Sequence, residues 1–315
     1  MSISTRFNSS PEDLPVYLTI DVGPTDAVMG HGHAAAPSWE VTFQGLESLF
    51  KTIPFLEQQI QSALPVTWFV RADRFIHHQF GDRLAIINRF LDNMGKLIHD
   101  DGHELGWMPQ LPSGQANGIM YEDLLNTCQA VRSIVPTLNS VRMGDCYHDN
   151  TSMQVLNQLG IRFDSSALPG RVKHDAGWCM DWQKTPQFAY HPCHDDYRLA
   201  GHPAMDILEV PLSVAPILAP YDSVALLRYL NPCYGTDIWS QGFNELIATA
   251  PYMVLILHPD ELVSRNTPGH PLVSYSQETL INNILNMIDR ASLLGRKISF
   301  QTIGHFNPAN QFTTY

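Results

Sequence analysis

Three polar residues each close a short apolar run, and their types suit acid–base chemistry. Asp21 follows VYLTI and comes just before Gly-Pro, and His258 follows YMVLIL and precedes Pro-Asp-Glu. Arg142 ends a shorter run. A carboxylate in such a position can act as a general base, and an imidazole with carboxylates close by suits a general acid. A buried arginine there pairs with a carboxylate or with a substrate anion.

Each of these residues also has a purely structural interpretation. Asp21 can cap the turn that follows it, His258 can hydrogen-bond a loop carbonyl, and Arg142 can form a structural ion pair. Asp164, in the run Phe-Asp-Ser-Ser, is a further candidate that suits a turn or a helix N-cap equally well. The residues alone leave these alternatives open.

The chain contains 14 histidines, which prompts a search for a transition-metal site. Three groups carry suitable residue types: His31 with His33, His77 with His78, and His191 with Cys193, His194 and Asp195. The first group has the H-x-H spacing of some metal hydrolases, but it falls in a Gly/Ala loop. The second lies on a helical stretch and is predicted to face solvent, and the third lies in an irregular segment. The structural interpretation is favoured for each group.

Strand-like and helix-like segments alternate along most of the chain. Strands are predicted over residues 16–22, 66–70, 103–107, 140–142, 161–164, 207–214, 252–257 and 297–303. Helices are predicted over residues 45–63, 82–99, 121–135, 151–159 and 276–294, with a kink or split at Pro54. Such alternation implies an α/β fold with a parallel sheet, and the lack of a mid-chain break favours a closed barrel.

In a parallel barrel the functional site lies at the C-terminal ends of the strands. That rule selects the following residues for inspection: Asp21, Arg71, Met108, Arg142, Asp164, Pro211 and His258. The segment from 170 to 205 interrupts the alternation and contains Trp178, Trp182, Tyr190 and Tyr197. An aromatic loop over a barrel mouth can stack on sugar rings, or it can form a small core of its own.

Composition excludes several classes of protein. With 315 residues, 44% of them hydrophobic and 16% charged, the chain can bury a large core and is not intrinsically disordered. A net charge of −12 argues against nucleic acid or an anionic membrane surface as a partner. The sequence has no apolar run long enough for membrane insertion and no signal-peptide pattern. The five cysteines form no C-x-x-C pair, which is typical of free thiols, so we predict a cytoplasmic protein.

Taken in chain order, a series of segments resembles the polysaccharide deacetylase (NodB-homology) family, carbohydrate esterase family 4. The first, TIDVGP at 19–24, is similar to the family's TFDDGP, and TWFV at 67–70 is similar to its second strand. GHELGW at 102–107 is similar to GHEIGxH, Arg142 falls where the third-motif arginine comes, and GIRFDSS at 160–166 is similar to a further family segment. LHP at 257–259 resembles the fifth motif, and 297–303 resembles the closing strand. The resemblance runs from about Val16 to Gly304.

The resemblance implies a deformed (β/α)7 barrel. It would be one domain over 15–305, with tails at 1–14 and 306–315 and an insertion at about 170–205. The family hydrolyses acetyl groups from sugars, with a divalent metal such as zinc polarising the acyl carbonyl. Carried over by position, Asp21 is the base, His258 protonates the leaving amine and Arg142 orients the base. Substrate contacts are expected from Asp164, Trp107 and Trp178.

The metal ligands of the family do not carry over. Their expected positions hold Val22, Met108 and Gln110. An aliphatic side chain cannot bind a metal, and a thioether is a poor ligand for a hard or borderline cation. Asp26 and His103 are the tentative substitutes, and the cofactor is left unknown.

Three functions remain open from the sequence. The first is a hydrolase with a rebuilt site, and the second is a catalytically silent protein of this fold that binds a sugar or nucleotide-sugar. The third is a metal hydrolase of another class that uses His31 and His33. Because a pure binding protein needs no acid–base pair, Asp21, Arg142 and His258 favour the first. We therefore predict a deacetylase acting on a small carbohydrate or glycan precursor.

Overall fold

The protein forms a parallel sheet surrounded by helices, as seen in a computed structural model that describes residues 12–24, 39–89, 102–111, 118–175, 178–265 and 269–308. The strands of these ranges are β1 (Glu12–Val22), β2 (Val66–Arg71), β3 (Glu104–Met108), β4 (Ser140–Val141), β5 (Phe163–Asp164), β6 (Val172–Asp175), β7 (Trp178–Asp181), β8 (Leu208–Glu209), β9 (Val214–Ile217), β10 (Leu226–Tyr229), β11 (Met253–Leu257) and β12 (Arg296–Phe300). The helices are α1 (Trp39–Ile60), α2 (Arg74–Phe80), α3 (Gly118–Ile134), α4 (Asn150–Gln158), α5 (Thr236–Ile247) and α6 (Gln277–Leu293).

The main sheet is parallel throughout and runs in the order β11-β1-β2-β3-β4-β5-β8, with β12 added beside the first half of β1. Its two edges are joined by hydrogen bonds that do not form a regular ladder. The Ser213 N–H donates to the Val254 carbonyl at 3.1 Å, and the Ile256 N–H donates to the Leu230 carbonyl at 3.1 Å. This irregular closure confirms the predicted deformed (β/α)7 barrel.

Burial on both faces explains why the strands read as continuous apolar runs. Every residue of β2 is buried, including Trp68 and Phe69. The same holds for β11. The helices cover the outer face of the sheet, and the inward side chains fill the barrel. Polar residues within these strands are therefore costly unless they are paired, which gives those that occur a specific role.

Helix α1 approaches the strand end that carries His258 very closely. A Cβ atom at Gly45 would lie 1.9 Å from the carbonyl oxygen of Pro259, so only glycine fits at this crossing. The helix is continuous from Trp39 to Ile60 with Pro54 inside it, so the predicted split does not occur. Glycine at this point lets α1 pack on the turn at Pro259–Leu262.

Several elements differ from the sequence prediction. The strand predicted over 207–214 is wrong as a single unit, because Pro211 separates β8 from β9 and β9 pairs instead with β10. Helices α2 and α5 and the hairpin β6–β7 were not predicted. Of the helix predicted over 82–99, residues 85–89 are helical, and those beyond 89 lie outside the described residues. Strand β1 begins at Glu12, inside the segment predicted as a tail.

No helix within the described residues is long and apolar enough to cross a membrane.

Candidate active site

Asp21 and Arg142 form an ion pair at the C-terminal end of the barrel. The Arg142 Nη1 lies 2.7 Å from Asp21 Oδ1, although the two residues are 121 positions apart in the chain. Asp21 belongs to β1, and Arg142 follows β4 directly. The convergence of parallel strand ends thus brings together two residues that the sequence predicted to be partners.

Arg142 is fully buried and is fixed by more than its carboxylate partner. Its Nε donates to the Ser165 carbonyl at 2.6 Å, its Nη2 to Ser165 Oγ at 2.9 Å and its Nη1 to Thr19 Oγ1 at 2.7 Å. The guanidinium also lies over the Phe69 ring, with Cζ 4.4 Å from the centroid. With so many contacts the guanidinium has one orientation, and Asp21 is oriented with it.

His258 lies beside Asp21 at the end of the neighbouring strand. The parallel register pairs Ile20 of β1 with Leu257, the last residue of β11. The next residues along the two strands, Asp21 and His258, are therefore neighbours. Glu261 Oε2 accepts a hydrogen bond from the backbone N–H of His258 at 2.9 Å, and Glu261 Oε1 lies 3.4 Å from the imidazole Nδ1. Both oxygens of Glu261 also accept from the Asn231 amide at 2.8 Å, which holds the carboxylate in place.

Glu261 keeps the imidazole charged at neutral pH. Burial opposes the charged form of His258, but the contact with Glu261 and its charge, followed by the charges of Asp21 and Asp260, raise the pKa of His258 to about 9. The ring is still partly open, with 20% of the side chain exposed. An imidazolium next to a carboxylate is a proton donor placed beside a proton acceptor.

Beneath this pair lies a buried cluster of titratable side chains that the sequence analysis did not assemble. Asp164 Oδ2 is 2.9 Å from His148 Nε2, and Asp164 Oδ1 accepts from Ser166 Oγ at 2.5 Å. Glu209 lies opposite Asp164 in the register and accepts from the Ala167 N–H at 2.8 Å. Both carboxyl groups and the imidazole are buried almost completely.

The two carboxyl groups of this cluster divide the charge between them. Burial raises the pKa of Glu209 well above its usual value, and the charge and hydrogen bond of Asp164 raise it further. For Asp164, burial acts in the same upward direction, but His148 and the hydrogen bonds from Glu209 and Ser166 outweigh it, so the pKa of Asp164 is lowered. Glu209 therefore keeps its proton to higher pH than an ordinary glutamate, whereas Asp164 loses its proton more readily than an ordinary aspartate.

Glu209→Gln is expected to flatten the pH dependence of stability. The folded state raises the pKa of Glu209, so its protonated carboxyl group adds to the free energy of unfolding. This contribution is complete below the unfolded pKa of about 4.5 and is lost as pH rises towards the folded pKa. The variant keeps an amide donor for Asp164 and an acceptor for Ala167 but has no proton to lose. In urea unfolding from pH 5 to 8, the free energy of unfolding of the variant should rise relative to that of the wild type by up to about 1.4 kcal/mol per pH unit.

The comparison is made against Glu47→Gln, which changes an exposed glutamate of α1. The raised pKa of His258 acts in the wild type and in both variants alike, so it cancels from the difference. The lowered pKa of Asp164 affects stability only on the acid side, below the window measured. Equal pH slopes for the wild type and Glu209→Gln would contradict a raised pKa of Glu209.

The residues at the three positions that the resemblance assigns to the metal do not fit a metal. Val22 is a fully buried aliphatic side chain, and the methyl group of Met108 packs against Gly23, where a Cβ atom would lie 3.0 Å from it. Gln110 donates its amide to Asp145 Oδ2 at 2.5 Å, which turns this side chain towards the loop after Arg142. Among the residues that the structure describes, no three His, Cys, Asp or Glu side chains are grouped as metal ligands. We derive no catalytic step through a metal.

The tentative substitute His103 is not placed to bind a metal beside Asp21. It precedes Glu104, the first residue of β3, whereas Met108 ends the strand, about 16 Å away at the usual rise per residue. Its Nδ1 instead accepts hydrogen bonds from the Val66 N–H at 3.2 Å and the Trp68 indole at 3.3 Å. The other substitute, Asp26, lies outside the described residues, and so do His31 and His33.

The expected substrate-binding residues have different positions. Asp164 and Trp107 present no accessible surface, and the Trp107 indole donates to the Ala72 carbonyl at 2.9 Å. Because both side chains are buried, neither has surface to offer a sugar in this structure, and their role as substrate contacts stays a prediction. The backbone of Trp178 belongs to β7, and its side chain lies outside the described residues.

Two aromatic side chains of the insertion, Trp182 and Tyr197, pack into the hydrophobic core of the protein. Trp182 is fully buried and contacts Tyr197 edge to face, with ring centroids 4.9 Å apart. Both rings also lie beside His148, at 5.8 and 6.0 Å. The Trp182 indole donates to the Cys146 carbonyl at 2.7 Å, so this side chain braces the loop after Arg142. Of the two interpretations left open by the sequence, packing accounts for Trp182 and Tyr197.

The remaining histidine and cysteine groups have structural surroundings. His77 and His78 are exposed on α2, as predicted. His191 Nδ1 lies 3.1 Å from the backbone carbonyl oxygens of both Met205 and Ile207, a position unsuited to metal binding. All five cysteines are free, and burial raises the pKa of Cys146 to about 12, which keeps the thiol nearest Arg142 neutral.

The loop between Arg142 and α4 has a strained backbone. Asp145 and Cys146 have φ angles of 56° and 54°, in the left-handed region that favours glycine. Such residues persist only where the surroundings hold them, at a cost of about 1–3 kcal/mol each. Here Gln110 holds the Asp145 side chain and Trp182 holds the Cys146 carbonyl. No feature of the sequence pointed to this strain.

Comparisons with known proteins place the fold. No family model and no curated protein sequence matches the chain. Among solved structures, Puue Allantoinase aligns over 92% of this chain and 87% of its own, with 14% identity and a TM-score of 0.50. A protein assigned as a polysaccharide deacetylase from Mycobacterium smegmatis aligns over 93% of this chain and 91% of its own, with 15% identity and a TM-score of 0.49. At these identities, what the allantoinase comparison shows is a shared barrel fold.

Proposed function

We propose that the chain is a hydrolase that removes an acyl group from the nitrogen or oxygen of a sugar or glycan precursor. The observation that carries the proposal is the adjacency of Asp21, held by a buried Arg142, and His258, which is charged at neutral pH. Acyl hydrolysis requires one proton acceptor and one proton donor on the same scissile bond. These two side chains supply both.

In the proposed reaction Asp21 takes a proton from water while the water oxygen attacks the acyl carbon. The electron pair of the carbonyl bond moves onto its oxygen, and a tetrahedral intermediate forms. The intermediate collapses with cleavage of the carbon–nitrogen bond, and His258 gives its proton to the leaving nitrogen. The products are a carboxylic acid and an amine, or an alcohol when the substrate is an ester.

A catalytically silent protein that binds a sugar or nucleotide-sugar is the alternative. Its support is the set of residues at the expected metal positions, Val22, Met108 and Gln110, none of which fits a metal. A binding protein has no need for a proton donor tuned by Glu261, whereas a hydrolase does. We therefore favour hydrolysis.

The test is an assay of acyl release from a panel of N-acetyl, N-formyl and O-acetyl sugars. Acetate and formate are quantified by NMR, with and without added zinc, and the metal content of the purified chain is measured in parallel. We expect release of the acid together with an equal amount of free amine or alcohol. Saturable sugar binding with no release under either condition would favour the silent binding protein instead.

Glu261→Gln is expected to move the alkaline limit of the reaction to lower pH. His258 acts as an acid, so activity is lost as pH rises through its pKa of about 9. Glu261 makes the largest upward contributions to the pKa of His258, so removing its charge should lower that pKa by about one unit or more, although Asp21 and Asp260 still act on the ring. The measurements are the pH dependence of kcat/KM and an NMR titration of the histidine ring.

The matched control is Glu278→Gln, an exposed glutamate in the first turn of α6. This variant should keep the alkaline limit of the wild type. If the limit moves in neither variant, His258 is not the group that titrates in the reaction.

A further inference from the structure

Arg71 lies at the barrel mouth with most of its guanidinium unused by the protein. It is the last residue of β2 and is only 8% exposed. Its Nε donates to Asp73 Oδ2 at 2.8 Å. Within the part of the chain that the structure describes, this is the one hydrogen bond of its side chain, although a guanidinium carries five N–H donors. The donors that the protein leaves unused are therefore open to an acceptor from outside the chain.

The alternation of side chains along β2 directs Arg71 towards Asp21 and His258. Residues two apart on a strand share a face, so Arg71 lies on the face of Phe69, over which Arg142 packs. The contacts agree, since a Cβ atom at Gly23 would lie 3.7 Å from Arg71 Cδ and 3.0 Å from Met108 Cε. Arg71 and Met108 therefore close over Gly23, two residues beyond Asp21.

The contact with Asp73 fixes Arg71 without saturating it. Asp73 caps α2, because its Oδ1 accepts from the Phe75 and Ile76 N–H groups at 2.8 and 2.9 Å. Its Oδ2 also accepts from the Gln110 N–H at 3.3 Å. Arginine and a carboxylate can pair through two parallel hydrogen bonds, whereas here one side-on bond through Nε leaves both terminal nitrogens for another ligand. The carboxylate is thus a rigid support for the guanidinium.

We propose that Arg71 is the oxyanion-binding residue of this site, a fixed cation in the region where the resemblance expects a metal. The inference rests on the proposed function and deepens it. The terminal N–H groups of Arg71 donate to the acyl oxygen as the carbonyl electron pair moves onto it during attack by water. After the carbon–nitrogen bond breaks and His258 has protonated the nitrogen, the same groups hold the carboxylate product. The ligand class is therefore a small acylate.

The experiment measures binding of acetate to the full chain by NMR titration at pH 7, which requires no turnover. Arg71→Gln removes the charge but keeps an amide donor for Asp73. Loss of a hydrogen-bonded ion contact should weaken acetate binding about ten- to a hundredfold. The matched control, Arg83→Met, removes the same charge from a surface arginine paired with Asp123 and should bind acetate as the wild type does.

Arg71→Lys provides a second variant that retains the charge should Arg71→Gln not fold. It is expected to bind acetate more weakly than the wild type because the planar fork is lost. With an acyl substrate, Arg71→Gln should lower kcat about 10²- to 10³-fold with little change in KM, since oxyanion contacts strengthen in the transition state.

Failure of this proposal and failure of the proposed function give different results. Acetate binding that is absent in the wild type, or equal in the wild type and the Arg71 variants, overturns the role of Arg71 even if acyl hydrolysis is found. The same holds if Arg83→Met weakens binding as much as Arg71→Gln does. Arg71-dependent acetate binding without hydrolysis of any substrate supports the acylate site and overturns the hydrolase.

Discussion

Asp21→Asn is expected to lower kcat/KM for acyl hydrolysis by about 10²- to 10⁴-fold, the usual contribution of a positioned proton acceptor. Asparagine keeps a side-chain oxygen for Arg142 Nη1, which lies 2.7 Å from Asp21 Oδ1 in the wild type, but it cannot accept a proton from water. The loss should appear mainly in kcat, because Asp21 acts in the transition state and not in ground-state binding. Initial rates with the best substrate of the panel provide the measurement.

The control for this variant is Asp13→Asn, which makes the same change at an exposed position near the start of β1. It should keep wild-type kinetics. Circular dichroism should show both variants folded. Hydrolysis by Asp21→Asn at the wild-type rate would show that another group removes the proton.

Arg142→Met is expected to destabilise the fold by about 3–5 kcal/mol, the usual cost of breaking a buried ion pair. The change removes the cation partner of Asp21 and leaves three further acceptors, the Ser165 carbonyl and the Thr19 and Ser165 hydroxyls, without their donor. The site of substitution is fully buried, so water cannot replace the lost contacts. Chemical denaturation at neutral pH measures the free energy of unfolding directly.

Arg162→Met is the matched control, since Arg162 is exposed and its described contact is with the Phe163 ring at 5.4 Å. Its loss should cost at most about 1 kcal/mol. If Arg142→Met unfolds with the same free energy as the control, the pair with Asp21 contributes little to the fold. Residual activity in a folded Arg142→Met protein would then measure how far Asp21 depends on it for orientation.

The convergence of the three central residues of the site could be predicted from the sequence because it follows from strand geometry. Asp21, Arg142 and His258 each end an apolar run, and in a parallel barrel such ends meet at one edge. The prediction required no knowledge of side-chain packing. The presence of carboxylates after His258 was visible as well, and Glu261 is the one that contacts the imidazole.

The buried supports of the site could not be predicted in this way. Asp164 was expected in a turn, at a helix N-cap or in contact with a sugar, and the structure buries it fully between His148 and Glu209. No local signal joins these residues, because their pairing depends on which strands become neighbours. The burial of Trp107 could not be predicted for a related reason, since an aromatic side chain at a strand end can point either into the packing or towards a ligand.

The sequence by itself determined the alternation of strands and helices, the end of the barrel where the candidate site is expected, and the absence of suitable side chains at the expected metal positions. These follow from local periodicity and from residue type, which need no tertiary contact. The tertiary structure alone decided which carboxyl group has a raised pKa, how His258 remains charged and where the unused donors of Arg71 lie. Those properties depend on burial and on contacts between distant segments, such as Asp21 and Arg142, which only the folded chain brings together.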